Sequence, residues 1–551
     1  MSVEWIFREP YDPTEAGYPG INERTVVQEG MIIDYDVRVE MRDGVGIRVD
    51  VFRPDNDEPV PVIIGWAAYG KHLAPANWFP GSGVREEWIS PYTIFEAPDP
   101  LYWTRHGYAV IYVDPRGQWG SEGQNRGFLN TREAADVYDL IEWAGTAAWS
   151  TGKVGMSGVS YFAIIQWFAA ATRPPHLAAI NPWEGFSDRY RETVYHGGML
   201  EDGLNDMWWH GHGPGIGSAQ TEDGWSMAAA HPLFDEYWAD NAVDLAKIDV
   251  PAYIVASWTD QGLHTRGTLE GYKRISSTDK WLVVHGRKKW EYQYQPENVE
   301  RLRAFFDQFL KGVEAGVRDW PRVQLEIRER CYVGEIRDED EWPLARTEYT
   351  RLYLDAASQA LALAPPAEPT QIVYLARGPF GAQFEYAFPE DTELTGHSKL
   401  RLWVAPVDST DMDLFVALEK VDREGERVGF PFFSTNLDGP SALGWLRVSH
   451  RALDETLSTE YQPVHSHTAE HKLARGELVP VDIEIWPSSV LFRKGERLRL
   501  LVKGKDFDHY ESPPGAPQMT HTATVNVGNH LIKTGGDHQS YLLVPVIPEK
   551  R

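Results

Sequence analysis

The sequence of 551 residues contains one cysteine, Cys331. A single thiol forms no intrachain disulfide and no cysteine-based metal site, and such chains fit reducing compartments. Positive charge is scarce as well: 53 Lys and Arg against 81 Asp and Glu leave a net charge of −28. A surface of that sign repels phosphate backbones and anionic headgroups, so nucleic acid and membranes are excluded as partners. No uncharged apolar run reaches the length of a membrane helix. The start, Met1 to Pro10, lacks the basic and then apolar regions of a secretion signal. A cytoplasmic protein is expected. What the chain does have is 42% hydrophobic and 12% aromatic residues, the composition of a well-packed globular protein. Its length implies two or three domains.

Residues 1 to 30 are polar, broken by proline and glycine, and read as a surface arm. Asp34 to Met41 and Gly46 to Phe52 alternate with period two around Arg42-Asp-Gly44, a hairpin with one covered face. Pro61 to Ala67 and Gly107 to Val113 are continuous apolar runs, each a buried strand. An amphipathic helix is expected over 132–145, and further buried strands at Ala252–Ser257 and Lys280–His285. Strand and helix in alternation argue for a parallel α/β sheet. The pattern pauses from about Trp183 to Lys247, a stretch rich in Trp, His, Met and Gly that reads as a helical cap over the ligand end. After about Ser358 short alternating runs separated by turn residues take over, as in an all-β sandwich. The expected units are therefore 1–182 with 248–345, a cap over 183–247, and a β unit over 346–551.

The stretch that carries chemistry is Gly152-Lys-Val-Gly-Met-Ser-Gly158-Val-Ser160-Tyr161. It reads as a short buried strand, a tight turn and an apolar helix opening at Tyr161, with Ser160 in the turn. A serine so placed has its hydroxyl lifted off the strand and the next N–H at a helix start, the arrangement of a nucleophile elbow. The plain alternative is an ordinary turn with Ser160 as a helix cap. Ser157 competes for the role, but it lies at the strand end before the helix begins.

A serine nucleophile needs a base and a third group to orient that base. In an α/β-hydrolase the acid and then the histidine follow the serine along the chain. Asp260, just past the first resumed strand, is the expected acid. His285, at the end of the next strand, is the expected base. His264 is its competitor, because four residues after Asp260 it shares a helix face with it. The Tyr161 N–H supplies one oxyanion donor. Tyr69, after the Pro61 to Ala67 strand, either offers its hydroxyl as the second or packs beside the strand. Trp167, Trp208 and Trp209 are the aromatic residues expected to line a hydrophobic substrate site.

Two other signals point away from metals and nucleotides. His210-Gly-His212 does not place both rings on one helix face, so a pocket wall is favoured over a metal pair. The Gly-rich loop at 117–123 lacks the Gly-Lys-Ser/Thr ending of a phosphate loop. No cofactor and no metal are expected.

These residues resemble the CocE/NonD family, the cocaine esterase and X-prolyl dipeptidyl aminopeptidase type of acyl hydrolase. Matching features run through Arg42-Asp-Gly44, Arg53-Pro54, Tyr69-Gly-Lys71, Asp114-x-Arg-Gly117 with Ser121-Glu-Gly123, Gly158-Val-Ser-Tyr161 with Gln166-Trp167, Asp260 and Pro545 to Pro548. The resemblance spans nearly the whole chain. It implies an α/β-hydrolase domain with an inserted helical cap and a C-terminal jelly roll. It also implies a Ser-Asp-His triad with Ser160 and Asp260, and an oxyanion hole from Tyr69 and Tyr161. Two departures stand out. Ala163 replaces a small glycine after the elbow, and the Gly-Pro-Trp-x-His usual after the last strand becomes His285-Gly-Arg-Lys-Lys-Trp290, which aligns Lys289 with the histidine.

The expected activity is hydrolysis of a small, hydrophobic ester or amide through an acyl-enzyme. The alternatives are acyl transfer, X-Pro aminopeptidase action with Glu184, Asp188 and Glu201 holding the amine, or a silent binding protein on the same scaffold. The expected partner is the small-molecule substrate, and a homo-oligomer is compatible with the reading.

Overall fold

The computed structural model describes residues 3–75, 77, 79–212, 215–507 and 518–548. The apolar runs found in the sequence form the centre of one mixed sheet. Its elements in chain order are β1 (Met31–Glu40), β2 (Gly46–Pro54), β3 (Val60–Gly65), β4 (Ala109–Asp114), helix α1 (Thr131–Thr146), β5 (Ser150–Val159), helix α2 (Tyr161–Ala171) and β6 (Leu177–Trp183). After the cap come β7 (Ala252–Ser257), α3 (Thr265–Arg274), β8 (Lys280–His285), α4 (Lys289–Tyr294), α5 (Pro296–Leu310), β9 (Val323–Arg330) and β10 (Val333–Glu339).

Across the sheet the order is β1-β2-β4-β3-β5-β6-β7-β8-β9-β10. The pairs from β4 to β9 are parallel and the flanking ones antiparallel. Helices cover both faces of the parallel part, which is why β3, β4 and β7 are buried at every position. In such a sheet ligands collect outside the carboxyl ends of the strands. Ser160, Glu184, Asp260 and His285 all lie there.

The segment between β6 and β7 is less helical than expected. It consists of short helical turns (Tyr190–Val194, Leu204–Met207, Trp208–His212, Gly224–Ala230, Glu236–Ala239) with a two-residue ribbon at Tyr195–His196 and Met199–Leu200. Aromatic packing of Tyr190, Tyr195, Tyr237 and Trp238 replaces regular helix length as its source of order. The N-terminal arm is tied to it through Phe7–Arg8 against Thr221–Glu222. The segment is also clamped to the C-terminal unit: the Arg447 N–H donates to Gly197 O at 2.8 Å, and Thr520 N–H to Glu201 Oε1 at 2.9 Å.

From Glu348 onward the described residues form antiparallel strands around a second core. One layer contains Glu348–Asp355, Tyr541–Ile547, Thr392–Pro406 and Val479–Phe492; the other contains Ala382–Ala387, Arg497–Lys503, Asp413–Val421 and Ala442–Arg447. Leu352, Leu400, Val416, Ile483, Leu500 and Leu542 meet between the layers. No helix among the described residues is long and apolar enough to cross a membrane.

Candidate active site

β5 ends at Val159 and α2 begins at Tyr161, leaving Ser160 alone in the turn with φ 58° and ψ −116°. A side chain with a Cβ is strained there, and such strain persists only where neighbours impose it. Here the Ser160 N–H donates to Trp183 O (3.1 Å) and Glu184 O (3.0 Å), while Val159 N–H donates to Glu96 O (3.1 Å). Glu96 and Glu184 themselves hold positive φ angles, 61° and 53°. Gly158 is required: at φ 138° a Cβ would lie 2.5 Å from Phe162 Cβ and 2.9 Å from Glu96 O. Ser157 lies inside the sheet, its hydroxyl donating to Asn181 Oδ1 at 2.9 Å.

His264, not His285, faces the serine. Ser160 Oγ lies 3.2 Å from His264 Nε2, and His264 Nδ1 is hydrogen-bonded to Asp260 Oδ2. The local chain explains the pair: Asp260 O accepts the N–H groups of His264 (3.1 Å) and Thr265 (3.2 Å), so the helical turn leading into α3 stacks ring over carboxylate. Lys289, at the start of α4, sends its ammonium into the same place, 3.1 Å from Asp260 Oδ2 and 3.3 Å from His264 Nδ1. Burial alone would raise the Asp260 carboxyl, but Lys289 and His264 hold it well below its usual range. Burial and then the Lys289 charge lower the His264 ring against the opposing pull of Asp260.

The expectation of His285 as base is corrected by its surroundings. Its ring, fully buried, stacks on Tyr292 (centroids 3.9 Å apart), and its Nδ1 accepts the Arg287 N–H at 3.2 Å. Its Nε2 lies 3.1 Å from Glu184 Oε1, close enough for an ion pair but out of line for a good hydrogen bond. β8 delivers this ring beneath the elbow, toward the residue whose carbonyl holds the Ser160 N–H. Two aromatic expectations also change. Trp167 is in the core under α3, where a Cβ on Gly271 would meet its ring at 2.7 Å. Trp209 is buried behind the cavity wall, edge-on to Trp208 at 4.8 Å with the Arg189 guanidinium 5.2 Å from its ring. Of the three tryptophans, Trp208 lines the cavity.

Tyr69 points its hydroxyl at the site, beside the Ser160 side chain, and accepts the Trp208 indole N–H at 3.3 Å. Burial raises its phenol well above the ordinary value, so it remains a proton donor. Tyr161 opens α2, where a first-turn N–H has no partner within the helix. Its own hydroxyl donates to the Glu133 carboxyl (2.8 and 2.9 Å), which also accepts Trp66 Nε1 (2.8 Å) and Leu129 N–H (2.6 Å). Burial pushes Glu133 up to about 7. This anchor of the elbow helix to α1 carried no signal in the sequence beyond the tyrosine itself.

Ser160 opens onto a cavity of about 160 Å³ with Phe79, Phe95, Tyr161, Ile164, Phe186, Leu204, Met207, Trp208 and Leu263 in its walls. Phe433 and Ser434 reach in from the C-terminal unit, fixed by a Phe433 N–H bond to Thr259 O at 2.8 Å. Neither residue lies in a motif of the sequence. Glu96 also lines the cavity; one oxygen accepts Trp290 Nε1 at 2.7 Å, and burial pushes the carboxyl up to about 8.

The carboxylates considered for an amine subsite are engaged elsewhere. Glu184 accepts from Ser257 Oγ at 2.8 Å, Asp188 pairs with Arg191 at 2.6 Å, and Glu201 accepts the N–H groups of Gly203, Leu204 and Asn205. Glu184, Asp260 and His264 bring one donor atom each within 4.8 Å of one another, but the Lys289 ammonium fills the place a cation would take. His210 pairs with Asp206 at 3.0 Å on the surface; the His212 side chain lies outside the described residues. In the loop after β4, Arg116 pairs with Asp43 and Asp136.

Against known proteins, the chain is 42% identical to a CocE/NonD family hydrolase from Staphylococcus aureus. That solved structure is matched over 96% of this chain and 97% of its own, with a TM-score of 0.91. The chain belongs to the CocE/NonD family of hydrolases. Residues 43–288 match the X-Pro dipeptidyl-peptidase (S15) family, and 315–543 match the C-terminal non-catalytic domain of X-Pro dipeptidyl-peptidases. Cocaine esterase of a Rhodococcus species is 25% identical, over 93% of this chain and 98% of its own length. An aminopeptidase from a marine-sediment Thaumarchaeota archaeon, 17% identical with a TM-score of 0.70 over 96% of this chain and 99% of its own, shares the fold. The chain is thus a serine hydrolase by family. At the base, the ring that stands at the serine is His264, from the turn after β7, and the Lys289 ammonium lies beside the same carboxylate.

Proposed function

We propose that this chain is a serine-dependent acyl esterase or amidase acting through an acyl-enzyme, with Ser160 as nucleophile, His264 as base and Asp260 as the group that orients it. The observation that carries the reading is the Ser160 Oγ to His264 Nε2 separation of 3.2 Å with Nδ1 held on Asp260. His264 takes the hydroxyl proton as Oγ bonds to the substrate carbonyl carbon. The oxyanion is met by the Tyr69 O–H and the Tyr161 N–H. Collapse of the intermediate breaks the ester or amide bond, and the leaving group takes the proton from Nε2. Water then repeats the sequence on the acyl-enzyme and frees the acid.

The aromatic and aliphatic cavity walls favour a small ester with an apolar acyl or alcohol group over a charged peptide N-terminus. The engagement of Glu184, Asp188 and Glu201 supports the same preference. On strand order we read the first unit as an α/β-hydrolase domain with residues 183–247 as its inserted cap, and the second as a jelly roll. A fluorophosphonate probe tests the reading. The wild-type enzyme should form one adduct per chain on Ser160, and Ser160→Ala none. An adduct that survives in Ser160→Ala refutes it.

A further inference from the structure

Lys289 is the residue that neither the triad nor the oxyanion hole uses. It is buried and lines the cavity. Its ammonium and the His264 Nδ1 converge on one oxygen, Asp260 Oδ2, with 3.3 Å between the two nitrogens. Asp260 Oδ1 has no hydrogen-bond partner among the described residues. A buried carboxylate is costly unless its charge is compensated, and here a lysine supplies that compensation before any imidazolium forms.

The charge count then differs from that of an ordinary triad. With a lone aspartate, protonating the histidine completes a neutral pair. With Asp260 already paired to Lys289, protonating His264 adds an uncompensated positive charge about 3.3 Å from an ammonium. The other groups facing His264 are Glu184, from the loop after β6, and the Phe186 ring stacked 6.4 Å away. Lys289 in turn faces Asp260, Glu96 and Glu184, which hold it charged in spite of burial. Glu184 is shared with His285 and Ser257, so it offsets the crowding of positive charge only in part.

We propose that Lys289 is a positioning residue for His264: its ammonium clamps Asp260 and opposes protonation of the ring, keeping the base free in acid. The inference rests on the reading of His264 as base. It assigns this enzyme an acid-tolerant working range that a triad without the Lys289 ammonium would lack.

The test is the pH profile of kcat/KM for a p-nitrophenyl ester in the wild type, Lys289→Met, Lys289→Gln and Lys289→Arg, with thermal melts to confirm folding. Activity rises with pH as His264 loses its proton. Removing the neighbouring charge should therefore move the acid limb of Lys289→Met and Lys289→Gln to higher pH by about one unit or more, while Lys289→Arg keeps the wild-type limb. A merely structural lysine would lower the melting temperature and leave the limb in place, which overturns the proposal. If no variant folds, the wild-type limb decides: it should lie below the ~6.5 of an ordinary histidine, and a limb at or above that value overturns the proposal. Inactive His264→Ala with an unmoved Lys289→Met limb sinks this inference alone; full activity in His264→Ala sinks the functional reading and the inference with it.

Discussion

His264 and His285 are both fully buried, each beside a buried carboxylate, Asp260 for the first and Glu184 for the second. His264 sits in the turn after Asp260 and looks outward to Ser160; His285 ends β8 and looks inward to Glu184, under the elbow. The strand-end histidine is stacked on Tyr292 and its Nδ1 is taken by a backbone N–H, so no proton-accepting nitrogen is left toward the cavity. The turn histidine has one nitrogen on a carboxylate and the other at the hydroxyl. Chain order along the sheet thus selects two candidates, and the direction of the ring chooses between them. Both are expensive to place, since a buried imidazole needs partners for both nitrogens. His264 engages both, on Asp260 and Ser160, whereas His285 has Nδ1 taken by the Arg287 N–H and Nε2 beside Glu184 without a well-aligned hydrogen bond.

The largest difference should appear between their carboxylates. Asp260→Asn leaves the geometry but offers the wrong hydrogen-bond partner to Nδ1, and kcat should fall by ~10⁴. Glu184→Gln should change kcat less than about tenfold and instead lower stability by ~1–3 kcal/mol, because a buried polar partner of His285 and Ser257 is weakened. Calorimetry beside steady-state kinetics separates the two. Equal kinetic losses would mean that both carboxylates serve the base.

Next in size is the oxyanion side. Tyr69→Phe should lower kcat by ~10²–10³ with little change in KM. Trp208→Phe keeps an aromatic but smaller side chain and removes the N–H that occupies a lone pair of the Tyr69 oxygen, and should cost about tenfold in kcat. That loss should vanish in the Tyr69→Phe background, as a double-mutant cycle will show. Additive losses would mean that Trp208 acts on substrate and not through the tyrosine.

Much of this was legible in the chain. Continuous apolar runs at Ala252–Ser257 and Lys280–His285 are strands on those same residues, because parallel strands covered on both faces leave a sharp pattern. The elbow announced itself through Gly158 and the apolar helix behind it. The hydrogen bond to His264 spans 104 residues of sequence, and only the turn after Asp260 aims the ring. Trp167 could not be placed because α2 is apolar on every side, so its sequence does not say which face meets the cavity. Phe433 and Ser434 were hidden for another reason: they arrive from the second unit, and their left-handed backbone at the hairpin tip leaves no periodic mark.

The role of His264 as base is tested most directly by the rate at which a fluorophosphonate labels Ser160 in His264→Ala and in His285→Ala, each confirmed as folded. His264→Ala should label orders of magnitude more slowly than wild type, while His285→Ala should label at a rate close to it. Fast labelling of His264→Ala together with loss of labelling in folded His285→Ala would contradict the assignment of the base.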